Sequence, residues 1–130
     1  MDVTALAAIT YSVATAGVIT FQVAMALGAP WGAYAMGGAS PGRFPPAMRV
    51  TALIQAAFLG VLAVVVLSHS GLALPSLAEA YPWLIWVAVA VSALSVLLNA
   101  ITRSAGERRI WLPVALTLLV CSVTVALTAG

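Results

Sequence analysis

The side chains that could act in catalysis are few and far apart along this sequence: Asp2, His69, Glu79, Glu107 and Cys121. An enzyme needs groups that titrate or attack within hydrogen-bond reach of one another. The topology that the arginines predict puts His69 and Glu79 on one side of a membrane and Glu107 on the other, about 30 Å apart. We therefore expect no catalytic residues, and the sequence favours a non-enzymatic protein.

A metal or cofactor site is not expected either. Asp2, His69 and Glu79 lie on the same predicted side of the membrane, but their spacing matches no known pattern of metal ligands. The glycines of the segment between the first two helices resemble a phosphate cradle, yet the GK[ST] sequence and the preceding strand of a P-loop are absent. The only cysteine, Cys121, cannot form a disulfide within the chain.

Three amide side chains are more informative, because Gln22, Gln55 and Asn99 each fall within a long apolar run. An amide in hydrocarbon without a hydrogen-bond partner costs several kcal/mol, so these groups are expected to face the interior of a helical bundle. Their predicted depths agree within about two helical turns. Two interpretations stay open: hydrogen bonds between helices, which are common in membrane proteins, or a polar pocket.

Such a pocket would open on the cytoplasmic side and would suit an anionic or amphiphilic ligand. The candidate ligand-binding residues are Gln22, Trp31, Arg49, Gln55, Asn99 and Arg103. The other arginines are candidates for contacts with lipid headgroups, since basic clusters beside a membrane attract anionic lipids. These arginines are Arg43, Arg108 and Arg109.

Composition identifies the broad class of protein. Hydrophobic residues make up 64% of the 130 residues and charged residues 6%, and the mean hydropathy is +1.16. A soluble domain of this size would have too little polar surface to cover itself. The chain is therefore expected to be an integral membrane protein. We interpret its abundant alanine and lack of lysine as a bacterial coding bias.

Four apolar segments are long enough to cross about 30 Å of hydrocarbon, which takes roughly 20 helical residues. They are residues 3–27, 47–68, 83–102 and 110–129. The first segment lacks the basic start of a secretory signal and is too long for one, so we expect it to be retained. The predicted fold is all-α, a polytopic membrane protein with a four-transmembrane-helix bundle, and residues 1–130 form a single transmembrane domain.

The arginines predict the orientation of this bundle. All five lie in or beside the first and third connections, namely Arg43, Arg49, Arg103, Arg108 and Arg109. Because cytoplasmic loops carry an excess of basic residues, both connections are expected in the cytoplasm and both termini outside. The predicted location is the bacterial cytoplasmic (inner) membrane, and the net charge of +2 does not indicate a nucleic-acid partner.

The first connection, residues 28–46, is rich in glycine and proline, which exclude a continuous helix. It also carries Trp31, Tyr34, Met36 and Phe44 and only one charge. Disordered segments are typically charged and poor in aromatic residues. We therefore predict a long ordered cytoplasmic loop that packs on the bundle near the headgroup layer.

The third connection contains a pattern that is typical of a helix start. Ser104 can cap the fourth helix, and Glu107 three residues later completes a capping box. Pro113 is acceptable within the first turn of that helix. These assignments explain most of the segment without any ligand.

The chain contains a combination of short motifs and single residues: GAPWG at residues 28–32, Gly37-Gly38, Pro41-Gly42, Pro45 with Arg49, Asn99, Arg103-Ser104, Glu107-Arg108, Trp111 and Pro113. In this combination the sequence resembles a group of uncharacterised small four-helix bacterial integral membrane proteins. The resemblance spans most of the chain. It implies the four-helix fold and no particular activity, so it assigns no site residue.

These observations favour a small non-enzymatic membrane protein that binds a lipid-like or amphiphilic ligand, or a membrane partner protein, through the cytoplasmic half of the bundle. The alternative is a protomer of a homo-oligomeric channel or small-molecule transporter. Ion coupling within one chain is not expected, because no charged residue lies at mid-membrane. The expected partners are membrane lipids, further copies of the chain or another membrane protein.

Overall fold

The computed structural model describes residues 2–129, and this part of the chain is all-helical, as its composition predicts. The described elements are α1 (Val3–Ala26), two short 3-10 turns (Gly32–Tyr34 and Met36–Gly38), α2 (Pro46–His69), α3 (Pro75–Ala80), α4 (Leu84–Ile101) and α5 (Ala105–Thr128). Four of them, α1, α2, α4 and α5, are long and apolar enough to cross a membrane. They correspond to the four predicted spans.

Local capping explains where the first two long helices begin. The Asp2 carboxylate accepts a hydrogen bond of 2.8 Å from the Ala5 amide and so satisfies one of the free N–H groups at the start of α1. α2 begins after Pro45 with Pro46 in its first turn, where a proline removes no intrahelical hydrogen bond. The first residues of α1 and α2 agree with the sequence prediction within one residue.

The start of α5 agrees with its predicted cap and not with the predicted apolar span. The helix begins at Ala105, before the span of residues 110–129, because Ser104 caps it and accepts a hydrogen bond of 3.1 Å from the Glu107 amide. Apolarity marks only the part of a helix that can lie in lipid, whereas the cap marks where the helix itself begins. Pro113 consequently lies inside α5 and not in its first turn. Because proline has no backbone N–H, the Arg109 carbonyl receives no hydrogen bond from this position.

The connection between α2 and α4 contains the short helix α3, which the sequence analysis did not predict. Pro75 provides its first turn, and Leu74 precedes it with a left-handed φ of 42°. Ser68 holds this helix against the end of α2, since its hydroxyl donates to the Leu74 carbonyl and accepts from the Ala78 amide, both at 2.9 Å. Six residues are too few to produce a periodic apolar pattern in the sequence.

The bundle has two different ends. The loop end carries the connection between α1 and α2 (residues 27–45, the first loop) and the connection between α4 and α5; the terminal end carries α3 and the ends of the chain. α1 packs along α2 and α5, and α4 packs along α5, whereas α2 and α4 touch only sparsely. Small buried side chains such as Ala8, Ala52 and Ala56 let the helices approach closely.

Side-chain packing is dense at the terminal end and incomplete at the loop end. The main core consists of Ala7, Ala8, Tyr11, Leu62, Val66, Ile85, Ala88, Leu118, Cys121 and Val125, which come from all four long helices. At the loop end the buried cluster is only Met25, Phe44 and Ala52, from α1, the first loop and α2. Neither α4 nor α5 contributes a side chain to this second cluster.

The first loop folds back on itself through a close backbone approach at Gly32. The Gly32 amide donates a hydrogen bond of 2.8 Å to the Gly42 carbonyl. A Cβ atom at Gly32 would lie 1.8 Å from the Ser40 carbonyl oxygen, so only glycine fits at this position. Phe44 anchors the far side of the loop in the loop-end cluster and is only 1% exposed.

Candidate functional site

The loop-end half of the bundle encloses a cavity of about 570 Å³. α1, α2, α4 and α5 form its walls, and the segment from Tyr34 to Gly37 of the first loop lies over it. Most lining side chains are apolar; among them are Val18, Phe21, Phe58, Leu59, Val91, Leu98, Trp111, Val114 and Leu118. The cavity therefore offers an apolar interior beneath a loop that carries backbone polar groups.

The three predicted amides all line this cavity. Gln22 Nε2 donates a hydrogen bond of 2.9 Å to Gln55 Oε1 and thereby joins α1 to α2. Asn99 Nδ2 donates to the Ser95 carbonyl of its own helix at 2.7 Å and does not join the pair. The Gln22–Gln55 pair thus links two helices, and all three amides line one cavity. Gln55 Nε2 and Asn99 Oδ1 make no hydrogen bond within residues 2–129 and so are free to meet a ligand.

Glu107 is the important lining residue that the sequence analysis did not select for the site. Its Oε2 accepts hydrogen bonds from the Gly37 amide at 2.7 Å and from Thr102 Oγ1 at 3.2 Å. The predicted capping box is therefore only half formed, because the Ser104 amide donates instead to Thr102 Oγ1 at 3.2 Å. A charged acceptor forms a stronger hydrogen bond than a neutral one, and here it links the first loop to the start of α5.

The sequence contains a feature that could have identified Glu107 as a residue of the site. Among the three acidic residues of the chain, Asp2 and Glu79 belong to the terminal end, and Glu107 alone belongs to the loop end. The capping-box pattern accounted for it locally and so hid its contact with a loop seventy residues earlier in the chain.

Three more contacts hold the first loop on α5. Ser104 Oγ donates to the Ala33 carbonyl, and Trp111 Nε1 donates to the Tyr34 carbonyl at 2.9 Å. The Tyr34 ring lies so close to Gly106 that a Cβ there would be 2.5 Å from Tyr34 Cε1. The loop is thus fixed to the first turns of α5 by backbone and side-chain contacts together.

Aromatic rings connect the cavity to the outside of the loop. Phe21 lies at a ring-centroid distance of 4.7 Å from Trp111, with a tilt of 59°. On its other side Phe21 stacks on Trp31 at 6.2 Å and 15°. Phe21 and Trp111 line the cavity, whereas Trp31 does not and is 46% exposed. Trp31 therefore packs against Phe21, a residue of the cavity wall, without lining the cavity itself.

The two arginines that were candidates for the ligand site also lie outside the cavity wall. Arg49 Nε donates to the Phe44 carbonyl at 2.8 Å, and its guanidinium lies over Gly28, 3.5 Å from where a Cβ would be. This arrangement joins the end of α1, the first loop and the start of α2. Arg103 is exposed.

The candidate headgroup arginines lie at the surface of the loop end. Arg43 and Arg109 are exposed, and Arg108 Nη1 donates to the Thr102 carbonyl at 2.9 Å. None of the five arginines lines the cavity, so basic side chains surround the loop end without entering the pocket.

The cavity has its mouth between α2 and α4. Phe58 on α2 and Leu98 and Ile101 on α4 line the cavity but are also 47%, 53% and 66% exposed at the surface. Side chains that are both lining and exposed mark the rim of an opening. Tyr34 of the first loop also lines the cavity and is 40% exposed, so the opening reaches from the apolar faces of α2 and α4 to the first loop.

The groups that could do chemistry stay apart from this cavity. Cys121 is buried in the terminal-end core, and His69 lies beside Pro82 in the connection to α4. Asp2, His69 and Glu79 surround a shallow cleft at the terminal end, but residues 2–129 contain no cluster of side chains that could hold a metal ion. The cavity wall offers amides and one carboxylate, which can bind and orient a molecule.

Neither protein-family models, nor curated proteins, nor solved structures gave a match to this chain. The geometry of the cavity is thus the basis for a functional assignment.

Proposed function

We propose that this chain is a non-enzymatic integral membrane protein of the bacterial cytoplasmic membrane that binds a lipid-like or amphiphilic ligand in its loop-end cavity. The observation that carries this proposal is the combination of an apolar interior, an amide-bearing wall and a mouth between α2 and α4. An amphiphile matches this combination because its apolar part and its polar group require different surroundings.

The size of the cavity supports a ligand of moderate size. Small-molecule sites typically enclose about 300–1,000 Å³, and the loop-end cavity at about 570 Å³ lies within that range. The apolar rim formed by Phe58, Leu98 and Ile101 would face hydrocarbon. A ligand dissolved in the bilayer could therefore enter sideways and would not have to cross water.

The distribution of arginine supports a cytoplasmic loop end and external termini. All five arginines belong to this end, and basic residues are enriched in cytoplasmic loops. The polar part of the ligand then lies in the inner half of the membrane, beneath the first loop. The exposed Arg43, Arg103 and Arg109 are positioned to contact the headgroups of anionic lipids.

Native mass spectrometry of the protein purified in a mild uncharged detergent tests the proposal. We expect one bound amphiphile per chain, retained under collisional activation that removes loosely attached lipids. A spectrum in which every adduct leaves together with the detergent would contradict a specific site. The same spectrum reports the number of chains per particle, and so distinguishes a monomeric binding protein from an oligomeric channel or transporter.

A further inference from the structure

On the basis of the proposed function, we propose that the ligand is a lipophilic cation whose positive group lies beside Glu107 and whose apolar part lies among Phe21, Phe58 and Trp111. The inference specifies the charge of the ligand. It rests on the side chains of the cavity wall, on the hydrogen bonds of Glu107 and on the positions of the arginines.

Among residues 2–129, Glu107 is the only side chain of the cavity wall that carries a formal charge. The other polar groups of the wall are amides, hydroxyls and backbone atoms of the first loop. In a partly buried, apolar site a carboxylate attracts a cation more strongly than it does in water, because the effective dielectric constant is lower. An anion in the same space would meet repulsion from the same group.

The carboxylate of Glu107 is only partly used by the protein. Oε2 accepts from the Gly37 amide and from Thr102 Oγ1, whereas Oε1 makes no hydrogen bond within residues 2–129. The residue is half-buried. A cationic ligand can therefore pair with Oε1, the carboxylate oxygen that the described residues leave without a hydrogen bond.

The arginines of the loop end hydrogen-bond to other groups or are exposed. Arg108 Nη1 donates to the Thr102 carbonyl, and Arg49 Nε donates to the Phe44 carbonyl. Neither arginine lines the cavity, and Arg103 is exposed. The start of α5 would by itself favour an anion, but Glu107 already provides the negative charge in that first turn.

Aromatic rings in the wall complete a site for a cation. Trp111 and Phe21 line the cavity in contact with each other, and the hydrogen bond from Trp111 Nε1 to the Tyr34 carbonyl fixes the indole. Phe58 lines the cavity from α2. The faces of aromatic rings attract cations, and tryptophan does so best. A cation with an apolar body can therefore contact the carboxylate and the rings together.

Two probe ions of nearly equal size and opposite charge test the inference on the wild-type protein: tetraphenylphosphonium and tetraphenylborate. Equilibrium dialysis in an uncharged detergent, against protein-free micelles of the same detergent, measures binding to the protein alone. We expect saturable binding of one tetraphenylphosphonium per chain, at least about tenfold tighter than that of tetraphenylborate. Equal binding of the two ions, or tighter binding of the borate, would overturn the inference.

The substitution Glu107→Gln tests whether this carboxylate causes the preference. It keeps the size of the side chain and an oxygen that can accept from the Gly37 amide, and we expect it to weaken tetraphenylphosphonium binding about tenfold. Glu79→Gln is the matched control, because Glu79 is exposed at the terminal end, and it should leave binding unchanged. Unchanged binding in a folded Glu107→Gln variant would overturn the assignment of Glu107.

A third probe separates this inference from the proposed function. Triphenylphosphine oxide is uncharged and carries a polar oxygen on a similar apolar body. If it binds as tightly as tetraphenylphosphonium, the cavity takes amphiphiles without regard to charge, so the inference fails and the proposed function stands. If none of the three probes binds, the inference also fails, and the native mass spectrum decides the proposed function independently.

Discussion

The Gln22–Gln55 hydrogen bond shows how one pair of side chains can serve both the fold and the site. The bond of 2.9 Å links α1 to α2, and both side chains belong to residues that line the cavity. Asn99 lies on the same cavity but bonds to its own helix. The amides were therefore predicted correctly as interior residues, while their pairing depends on helix rotation, which the sequence alone does not specify.

A double-mutant cycle should resolve this arrangement. We expect Gln22→Leu and Gln55→Leu to be coupled by about 0.6 kcal/mol in the free energy of unfolding, the typical value for hydrogen bonds between membrane helices. Gln22→Leu and Asn99→Leu should be additive, because these two side chains share no hydrogen bond. Reversible unfolding in mixed micelles measures both values. Strong coupling of Gln22 to Asn99 and none to Gln55 would contradict the structure.

The first loop is the element that closes the cavity, and its contacts are spread over its whole length. The Gly37 amide donates a hydrogen bond to Glu107, and the Tyr34 carbonyl accepts one from Trp111. Phe44 is buried in the loop-end cluster. Its glycines, prolines and aromatic residues predicted a loop that packs on the bundle. The partners on α5 were not predictable, because contacts between residues seventy positions apart leave no periodic pattern in one sequence.

A pair of glycine substitutions tests whether this loop is a fixed structure. Gly32→Ala would place a Cβ 1.8 Å from the Ser40 carbonyl, and we expect it to lower the free energy of unfolding by at least about 2 kcal/mol. Gly17→Ala is the control, since a Cβ there meets nothing within 4 Å and alanine favours a helix. It should leave stability unchanged or slightly higher.

Thermal unfolding and limited proteolysis of the two variants measure the difference. The Gly32→Ala variant should also be cut faster between residues 32 and 42 than the wild type. Equal stability of the two variants, together with rapid cleavage of the wild-type loop, would mean that the first loop is a mobile connection and does not form a lid over the cavity.

The helix boundaries show which parts of an element can be predicted. Apolar length located all four long helices, because a stretch of about 20 apolar residues has few alternatives. Apolar length alone begins the fourth span at residue 110, whereas the capping pattern at Ser104 predicts the start of α5 before its polar first turn, from Ala105 to Arg109. That turn carries Glu107, and its predicted role in the cap did not indicate its position on the cavity wall.

At the scale of the whole molecule, the bundle is packed at one end and open at the other. The terminal-end core draws side chains from all four long helices and packs them together. α2 and α4 touch only sparsely, and the loop end contains the cavity. Composition predicted a bundle, but a cavity depends on how helices diverge, and no residue type marks that divergence.

The orientation of the molecule in the membrane is a separate prediction. Ala39→Cys in the first loop and Ser76→Cys in α3 both introduce a thiol at an exposed position, while the native Cys121 is buried. A thiol reagent that cannot cross membranes should label only Ser76→Cys on intact cells, and both variants after permeabilisation. Labelling of Ala39→Cys alone on intact cells would reverse the proposed topology.

The most direct test of the central claim, that a ligand occupies the loop-end cavity, is to fill that cavity. Ser95 lines it and is half-buried, whereas Ala100 on the same helix is exposed and does not line it. Native mass spectrometry compares ligand occupancy in Ser95→Trp and Ala100→Trp, with thermal unfolding to establish that both variants fold. We predict that Ser95→Trp loses the bound amphiphile and that Ala100→Trp retains it. Full occupancy in a folded Ser95→Trp variant would contradict the account.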